Sequence, residues 1–392
     1  MEIQFLVFSR RECYTKRKFK SWESRGILDR KMKQERVLVA MSGGVDSSMT
    51  AALLLEQGYD VIGVTMRLSE DSREALSEEN NGEMPSSIVD ARRVADMLGI
   101  PHYVVDFMAS FEQTVIGYFL DEYQRGRTPN PCVVCNRHIK FGALLQKAAE
   151  LGASYIATGH YARVERGADG IYRLRKAQNY AKDQSYVLYH LNQETLAHIL
   201  FPLGSFSKDE TRRMAEEYHL PVAHKAESQE ICFVPHDDYK AYLRKKRPAS
   251  VQHGEIVDQS GNVLGMHEGV SFYTIGQRKG LGIAAPEPLY VTALDPVENR
   301  VIVGAADEVY AQELIASHPL WTMWDVLREE RTVHAKIRYG KKEATAVVSP
   351  YGDDSICVRF AETQRAVTPG QSVVFYEDDI VLGGGVIDEV IA

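Results

Sequence analysis

The segment running from Val37 to Ser48, with the sequence Val-Leu-Val-Ala-Met-Ser-Gly-Gly-Val-Asp-Ser-Ser, limits what this chain can fold into more than any other. It is a short apolar strand that ends in Ser-Gly-Gly and opens directly into a helix-forming stretch. Two glycines let the backbone approach an anion closely. The first N–H groups of the following helix have no intrahelical partners and point at that anion with the positive end of the helix dipole. The hydroxyls of Ser42, Ser47 and Ser48 add donors, and Asp46 is placed to hold a magnesium ion between phosphates. No Gly-Lys-Ser/Thr follows the glycines, so this is not the Walker pattern. The plain alternative is a strand-to-helix turn capped by serine.

The alternation around this segment extends it into a sheet. Apolar strands are expected over residues 37–41, 61–66, 103–107 and 155–158, with helices between them, which implies parallel strands joined by crossovers. Open sheets of this kind bind ligands at the carboxyl ends of their strands. The Ser-Gly-Gly turn, Met66 and Gly159-His160 all fall at such ends and are expected to share one site. Residues 69–85 are acidic and polar and read as a mobile surface loop. A turn-rich Thr128-Pro-Asn-Pro131 precedes a helix expected near 136–151. Beyond about residue 240 short alternating runs rich in Gly and Pro replace the helices, and residues 333–392 read as five or so strands, a barrel or a sandwich.

At 392 residues the chain has room for two or three domains, and no apolar stretch reaches the roughly 18 residues that span a bilayer. A net charge of −8 argues against a surface coated by polyanion, though local basic patches can still bind nucleic acid. Five cysteines, an odd number in a long chain, give no disulfide framework and suit a reducing cytoplasm. Cys13 and Cys357 look bland, the latter a small core side chain. Residues 1–31 carry many Lys and Arg without a glycine-rich loop or a signal-peptide core. They read as a disordered extension or a start assigned too early, with Met32 just ahead of the first strand.

Cys132 and Cys135, in Asn130-Pro131-Cys-Val-Val-Cys-Asn, form a Cys-x-x-Cys pair at a turn leading into a helix, where thiolates gain stability. On spacing alone a zinc half-site or an incidental pair remains open. A structural zinc would want a second such pair, and the sequence has none. Cys232, taken by itself, reads as a buried structural cysteine.

Ser-Gly-Gly-Val-Asp-Ser resembles the pyrophosphate loop of the ATP pyrophosphatases, the PP-loop enzymes. In the same order as in the tRNA-specific 2-thiouridylases come Arg127-Thr-Pro-Asn-Pro with Cys135-Asn and Ile139-Lys-Phe, then Ala157-Thr-Gly-His-Tyr161 and Lys182-Asp-Gln-Ser-Tyr186. Ile231-Cys-Phe233, Thr274-Ile-Gly-Gln-Arg-Lys-Gly-Leu-Gly282 and Thr368-Pro-Gly-Gln371 complete the series. The chain is similar to that family from about Val37 to its C-terminus. The resemblance implies an α/β protein with an N-terminal parallel-sheet PP-loop ATP pyrophosphatase domain, a small mixed central domain and a C-terminal β-barrel. The expected bounds are an extension over 1–35, a catalytic domain over 36–240, a central linker domain over 241–308 and a barrel over 309–392.

The activity implied is ATP-dependent replacement of the C2 oxygen of a wobble uridine in tRNA by sulfur. On this resemblance Ala40, Met41, Ser42, Gly43, Gly44, Val45, Asp46, Ser47, Met66 and Gly159 would hold ATP with Mg2+. Cys232 would carry the sulfur as a persulfide received from a cysteine desulfurase or sulfur relay protein, and Cys135 would be the second thiol, closing a Cys135–Cys232 disulfide. A wobble base is cheap to flip out of its stack. Target-base and tRNA contacts would come from Asn130, Pro131, Cys132, His160, Lys182, Asp183, Gln184, Arg338, Tyr339 and Gln371. A monomeric, cytoplasmic protein with no membrane association is expected.

One position departs from the family. Cys132 stands where well-known members carry Asp, and a thiol does not accept hydrogen bonds as a carboxylate does. Either base assistance comes from elsewhere, or Cys132, Cys135 and Cys232 together hold an iron–sulfur cluster whose open iron carries the sulfur. The persulfide route is preferred. Arg244-Lys-Lys-Arg247 and Gln277-Arg-Lys279 are added as phosphate-tracking clusters on charge alone, against the plain reading of a solvated face. The rivals are another PP-loop adenylating enzyme, which has no need of these cysteines, and a zinc-dependent RNA-binding module that consumes no ATP.

Overall fold

In the computed structural model of the protein, residues 35–69, 85–227 and 231–391 are described. The expected extension, Cys13 and nearly all of the acidic 69–85 loop lie outside them. The described chain divides into two compact units that do not follow chain order. One holds the N-terminal segment to Ala109 with His138–Ser185 and Glu194–Phe233; the other holds Ser110–Arg137, Tyr186–Gln193 and Val234 onward.

The first unit is built on five parallel strands: β1 (Arg36–Ala40), β2 (Asp60–Arg67), β3 (His102–Asp106), β4 (Tyr155–Ala157) and, after the antiparallel hairpin β5 (Ala162–Arg166) and β6 (Tyr172–Lys176), β7 (Ile199–Leu200). Their order is β3-β2-β1-β4-β7. β1 is central, which is why Val37, Leu38 and Val39 are completely buried and why its sequence shows no polar alternation. Helix α1 (Val45–Glu56) follows β1, and α2 (Ser86–Leu98) precedes β3. Apolar residues of α1 and α2 pack with β1 and β2 into one core that includes Met49, Leu54, Val94 and Val61. Central placement of β1 puts the Ser-Gly-Gly turn at the carboxyl edge, between the ends of β2 and β4.

The second unit contains two β structures. In the smaller, β8 (Gly254–Val257), β9 (Val263–His267), β10 (Tyr290–Asp295) and β11 (Arg300–Gly304) lie in the order β10-β11-β8-β9, with β8 and β11 parallel. In the larger, β12 (Tyr310–Trp321), β13 (Arg331–Lys336), β14 (Ala344–Tyr351), β15 (Ser355–Arg365), β16 (Ser372–Glu377) and β17 (Ile380–Ile391) are antiparallel. β12 pairs with both β15 and β17, which closes β12-β15-β14-β13-β16-β17 into a barrel. Its inward-facing residues, Leu314, Val348, Val358, Phe360 and Phe375 among them, form a separate core. Closure resolves the sequence reading of barrel or sandwich in favour of a barrel. It leaves these six strands without an unpaired edge.

Candidate functional site

Glycine is required at two places here, by the backbone conformation at Gly43 in the turn and by close packing at Gly159 beside it. Gly43 has φ of +69°, and a Cβ there would lie 2.3 Å from the Ser87 carbonyl oxygen. A Cβ on Gly159, at the end of β4, would come 2.9 Å from the Asp46 Cβ and 3.0 Å from the Ser47 nitrogen. So the β4 end lies directly against the first turn of α1. Gly44 is the N-cap of α1 and brings no capping side chain, which leaves the leading N–H groups to a ligand. Ser47 Oγ instead accepts from the Ser42 N–H at 3.1 Å and donates to the Gly44 carbonyl at 3.1 Å, bracing the turn from inside. Beneath it, Thr65 Oγ1 donates to the Met41 carbonyl and accepts from His102 Nε2, each at 2.8 Å. Burial, then the charge of Arg92, pushes the His102 pKa down to about 4, so the ring is neutral at ordinary pH. Met66 stands half-buried near the end of β2.

Asp46 does not point free into this turn. Lys208 Nζ lies 2.8 Å from both of its carboxylate oxygens, and the Tyr161 hydroxyl donates to it at 2.8 Å. Lys208 is only 8 % exposed and occupies the first position of the helix Lys208–Glu217, where the dipole disfavours a cation. Two carboxylates offset that cost, because Lys208 also reaches Glu227 at 2.8 Å. Glu227 in turn accepts from Lys182 at 2.8 Å. Four alternating charges thus run from the glycine turn outward: Asp46, Lys208, Glu227, Lys182. Burial pushes the Glu227 carboxyl up, but the hydrogen bonds and charges of Lys182 and Lys208 together outweigh it and hold its pKa at about 2.

Sequence reasoning missed Lys208, Glu227 and Tyr161. A signal existed for the first: Ser207 and Glu210 form a complete capping box, and a lysine directly after a capping serine opposes the dipole unless a partner waits for it. Nothing local marked Glu227.

The residues read as tRNA contacts in this unit adjoin the same network. Asp183 is buried, accepting from the Ala177 and Ser185 N–H groups and the Ser185 hydroxyl, so it shapes the turn that presents Lys182. Gln184 accepts from the Tyr161 N–H at 2.9 Å. His160 is buried, bonded through Nδ1 to Thr158 Oγ1 at 2.7 Å and flanked by Phe141 and Phe201. Cys232 is exposed, beside the buried Phe233, rather than a buried structural cysteine.

Cys132 and Cys135 belong to the second unit. Pro131 opens the helix Pro131–Val134, and a wide-turned helical stretch, Cys135–Ala143, follows it. Cys132 is exposed and Cys135 buried, and neither forms a disulfide. Asn136 donates to the Val187 carbonyl at 3.0 Å, pinning the segment after Cys135. Ahead of Cys132 the backbone is held by the barrel. Gln371 Nε2 donates to the Thr128 and Pro129 carbonyls at 2.9 and 3.2 Å, and Arg127 pairs with Glu122 at 2.7 Å and Asp388 at 2.5 Å. Arg338 donates to Thr368 and to the Ile275 carbonyl, whereas Tyr339 is exposed beside Lys336 and edge-on to Tyr186. Of the Arg244–Arg247 cluster, Arg244 lies over Phe272 and pairs with Glu268, Lys246 with Glu112 and Arg247 with Asp121. Cys357 is half-buried in β15.

Among the described residues no group of three His, Cys, Asp or Glu side chains is gathered to hold a metal ion, and no helix is long and apolar enough to cross a membrane.

A parallel sheet with a glycine turn at its carboxyl edge, opening an uncapped helix, defines a nucleotide-binding α/β domain. Family models agree and extend this along the chain: a tRNA methyl transferase HUP domain matches residues 35–236, a tRNA methyl transferase PRC-barrel domain residues 240–305, and an aminomethyltransferase beta-barrel domain residues 311–387. The chain is 54 % identical over 356 residues to a tRNA-specific 2-thiouridylase of Caldanaerobacter subterraneus subsp. tengcongensis, spanning 90 % of this chain and 98 % of that one. It is 52 % identical to the tRNA-specific 2-thiouridylase of Carboxydothermus hydrogenoformans over 91 % and 98 % of the two chains. Against that of Clostridium perfringens the identity is 48 %, over 92 % and 100 %. The chain belongs to the tRNA-specific 2-thiouridylase family.

Proposed function

We propose that the chain thiolates the C2 position of a wobble uridine in tRNA, consuming ATP at the Ser-Gly-Gly turn and using Cys232 and Cys135 as the two reacting thiols. Family membership makes it a tRNA sulfurtransferase that binds ATP and acts on tRNA. The observation that carries the ATP half is the turn itself, with unblocked N–H groups at the head of α1 and Gly159 packed against them. Ala40 to Ser47, Met66 and Gly159 line the nucleotide's place.

The uridine C2 oxygen attacks the α-phosphorus of ATP and pyrophosphate leaves. The oxygen is now part of an adenylate, a far better leaving group than oxide. The terminal sulfur of a Cys232 persulfide attacks C2 and AMP departs with the former base oxygen. The Cys135 thiolate then attacks the Cys232 sulfur, leaving sulfur on the base and a Cys135–Cys232 disulfide that an external thiol reductant reopens. Sulfur reaches Cys232 from a cysteine desulfurase or a relay protein, for which its exposure is suited. A Mg2+ ion would ride on the ATP phosphates and could draw on Asp46 only as Lys208 yields that carboxylate. The persulfide route is preferred to a cluster held by Cys132, Cys135 and Cys232 because it asks only two thiols to react.

For RNA, the first unit would offer the Lys182 cation with His160, Asp183 and Gln184, and the second the exposed Tyr339 as a stacking face with Arg338 and Gln371, while Asn130, Pro131 and Cys132 would meet the target base. The test is an oxygen label at C2 of the wobble uridine of a substrate tRNA. Label recovered in AMP, with one pyrophosphate per 2-thiouridine, is the expected result. Label recovered in water or phosphate overturns adenylation of the base.

A further inference from the structure

The barrel turn Thr368–Gln371 holds two consecutive residues ahead of the cysteines, Thr128 and Pro129, and it does so through main-chain groups that sequence motifs do not reveal. Gln371 Nε2 donates to the Thr128 and Pro129 carbonyls at 2.9 and 3.2 Å, while the Thr128 N–H donates back to the Pro369 carbonyl at 2.9 Å. Gly370 has φ of +90°, and a Cβ on it would lie 2.9 Å from the Thr128 carbonyl oxygen, so the two strands of chain are in contact at the backbone. The turn is itself fastened to β17, since the Gly370 N–H donates to the Ile387 carbonyl and the Ile387 N–H to the Gln371 carbonyl, both at 2.8 Å. Arg127 closes the ring by donating to that same Ile387 carbonyl at 3.2 Å while pairing with Asp388 and the buried Glu122. Burial would lower the Arg127 pKa, but the two carboxylates raise it, so the guanidinium is charged throughout.

We propose that this turn is a positioning device of the C-terminal barrel for the cysteine segment, and that Gln371 is a positioning residue acting through Thr128 and Pro129 on Cys135. The inference rests on reading Cys135 as a reacting thiol. Cys135 lies only six residues past Pro129, just after the four-residue helix Pro131–Val134, whose start has no side-chain cap, so its entry backbone depends on what grips it from outside. A side-chain amide donating to two successive carbonyls fixes both peptide planes at once, which sets where the helix starts and therefore where Cys135 points. The barrel is then more than a platform for RNA: it aligns one of the two thiols. Gln371, read from family resemblance as a tRNA contact, has its donor nitrogen engaged with the protein.

The experiment uses the full chain, without ATP, tRNA or a sulfur donor, and reads iodoacetamide alkylation of each cysteine by mass spectrometry in Gln371→Ala and Arg127→Lys. Cys135 is buried, and Cys357 in the same barrel serves as an internal control for global opening. We expect the Cys135 rate to rise about tenfold with Cys357 unchanged, as for a local opening. In a second arm, turnover at saturating tRNA should fall about tenfold while tRNA affinity moves by less than about threefold. Unchanged protection of Cys135, a parallel rise at Cys135 and Cys357, or normal turnover despite an exposed Cys135 would each overturn the proposal. A tenfold loss of tRNA affinity with Cys135 still protected would make Gln371 a plain RNA contact. The alkylation arm stands whatever the oxygen-label experiment finds.

Discussion

The glycine turn and the cysteine segment are both short loops that open helices, yet they are built in opposite ways. The turn is made by its own residues: Gly43 and Gly44 set the backbone, Ser47 braces it, and Gly159 is the main visitor from further along the chain. The cysteine segment is made by others. Its entry is held by Gln371, Pro369 and Ile387, some 240 to 260 residues away, and its exit by the Val187 carbonyl. A phosphate is recognised by main-chain N–H groups, so the loop that binds it can be encoded locally. On the proposed chemistry Cys135 is a thiol that must be aimed, and aiming a side chain takes a rigid scaffold around it.

The largest effect should separate the two loops completely. Cys135→Ala and Cys232→Ala should each lower tRNA thiolation by about a thousandfold or more, as expected for loss of a nucleophile, while ATP binding measured by calorimetry stays within about twofold. A comparable loss of ATP affinity in either variant would break the division. Gly159→Ala should do the reverse. Its new methyl meets Asp46 and Ser47, so ATP affinity should fall about a hundredfold from displacement of the turn, with Cys135 alkylation unchanged.

Lys208→Met sharpens the comparison on the stability side. It leaves Asp46 and Glu227 without their shared buried cation, and urea titration should show a loss of about 3 kcal/mol. Adding Asp46→Asn should recover part of it; no loss in the single variant would mean the charge chain is ornamental to folding.

The smallest effect is a pH dependence confined to the first unit. His102 is held below its unfolded value, so the unfolded chain binds the proton first. Stability should be complete above about pH 6.5 and decline as pH falls through 4. Glu227 is also held down, and its contribution should persist above about pH 4.5 and be lost as pH falls toward 2. Thermal unfolding of His102→Gln should lack the first decline. A profile identical to that of the intact protein would remove His102 from the account.

What could be read from the sequence follows the same division. The strands expected over 37–41, 61–66 and 103–107 are found at Arg36–Ala40, Asp60–Arg67 and His102–Asp106, because continuous apolar runs bounded by turns leave little choice in a parallel sheet. Five strands after residue 331 likewise follow from alternation, but closure of the barrel depends on β12 pairing with β17, a contact no local pattern encodes. At the site, the glycines and serines mark a strand-to-helix turn, and the structure has that turn between Ala40 and Val45. The Asp46–Lys208–Glu227–Lys182 chain was not legible, since its members are spread over 182 residues of sequence and nothing local links Asp46 and Lys182, each singled out for another role, to Lys208 and Glu227. Cys135 and Cys232 are singled out only by resemblance to family motifs, and their reacting roles belong to the proposal. Burial of one and exposure of the other, like the grip of Gln371 on Thr128 and Pro129, emerge only from packing.

The most direct test of the central claim is ATP-dependent incorporation of sulfur into tRNA from a persulfide donor, comparing the intact protein with Cys132→Ala, Cys135→Ala and Cys232→Ala. The account predicts 2-thiouridine from the intact protein and from Cys132→Ala, within several-fold of each other, and none above background from the other two. Loss in all three variants, with iron in the active protein, would contradict the two-thiol relay and install a cluster in its place. No ATP-dependent incorporation by the intact protein would contradict the account as a whole.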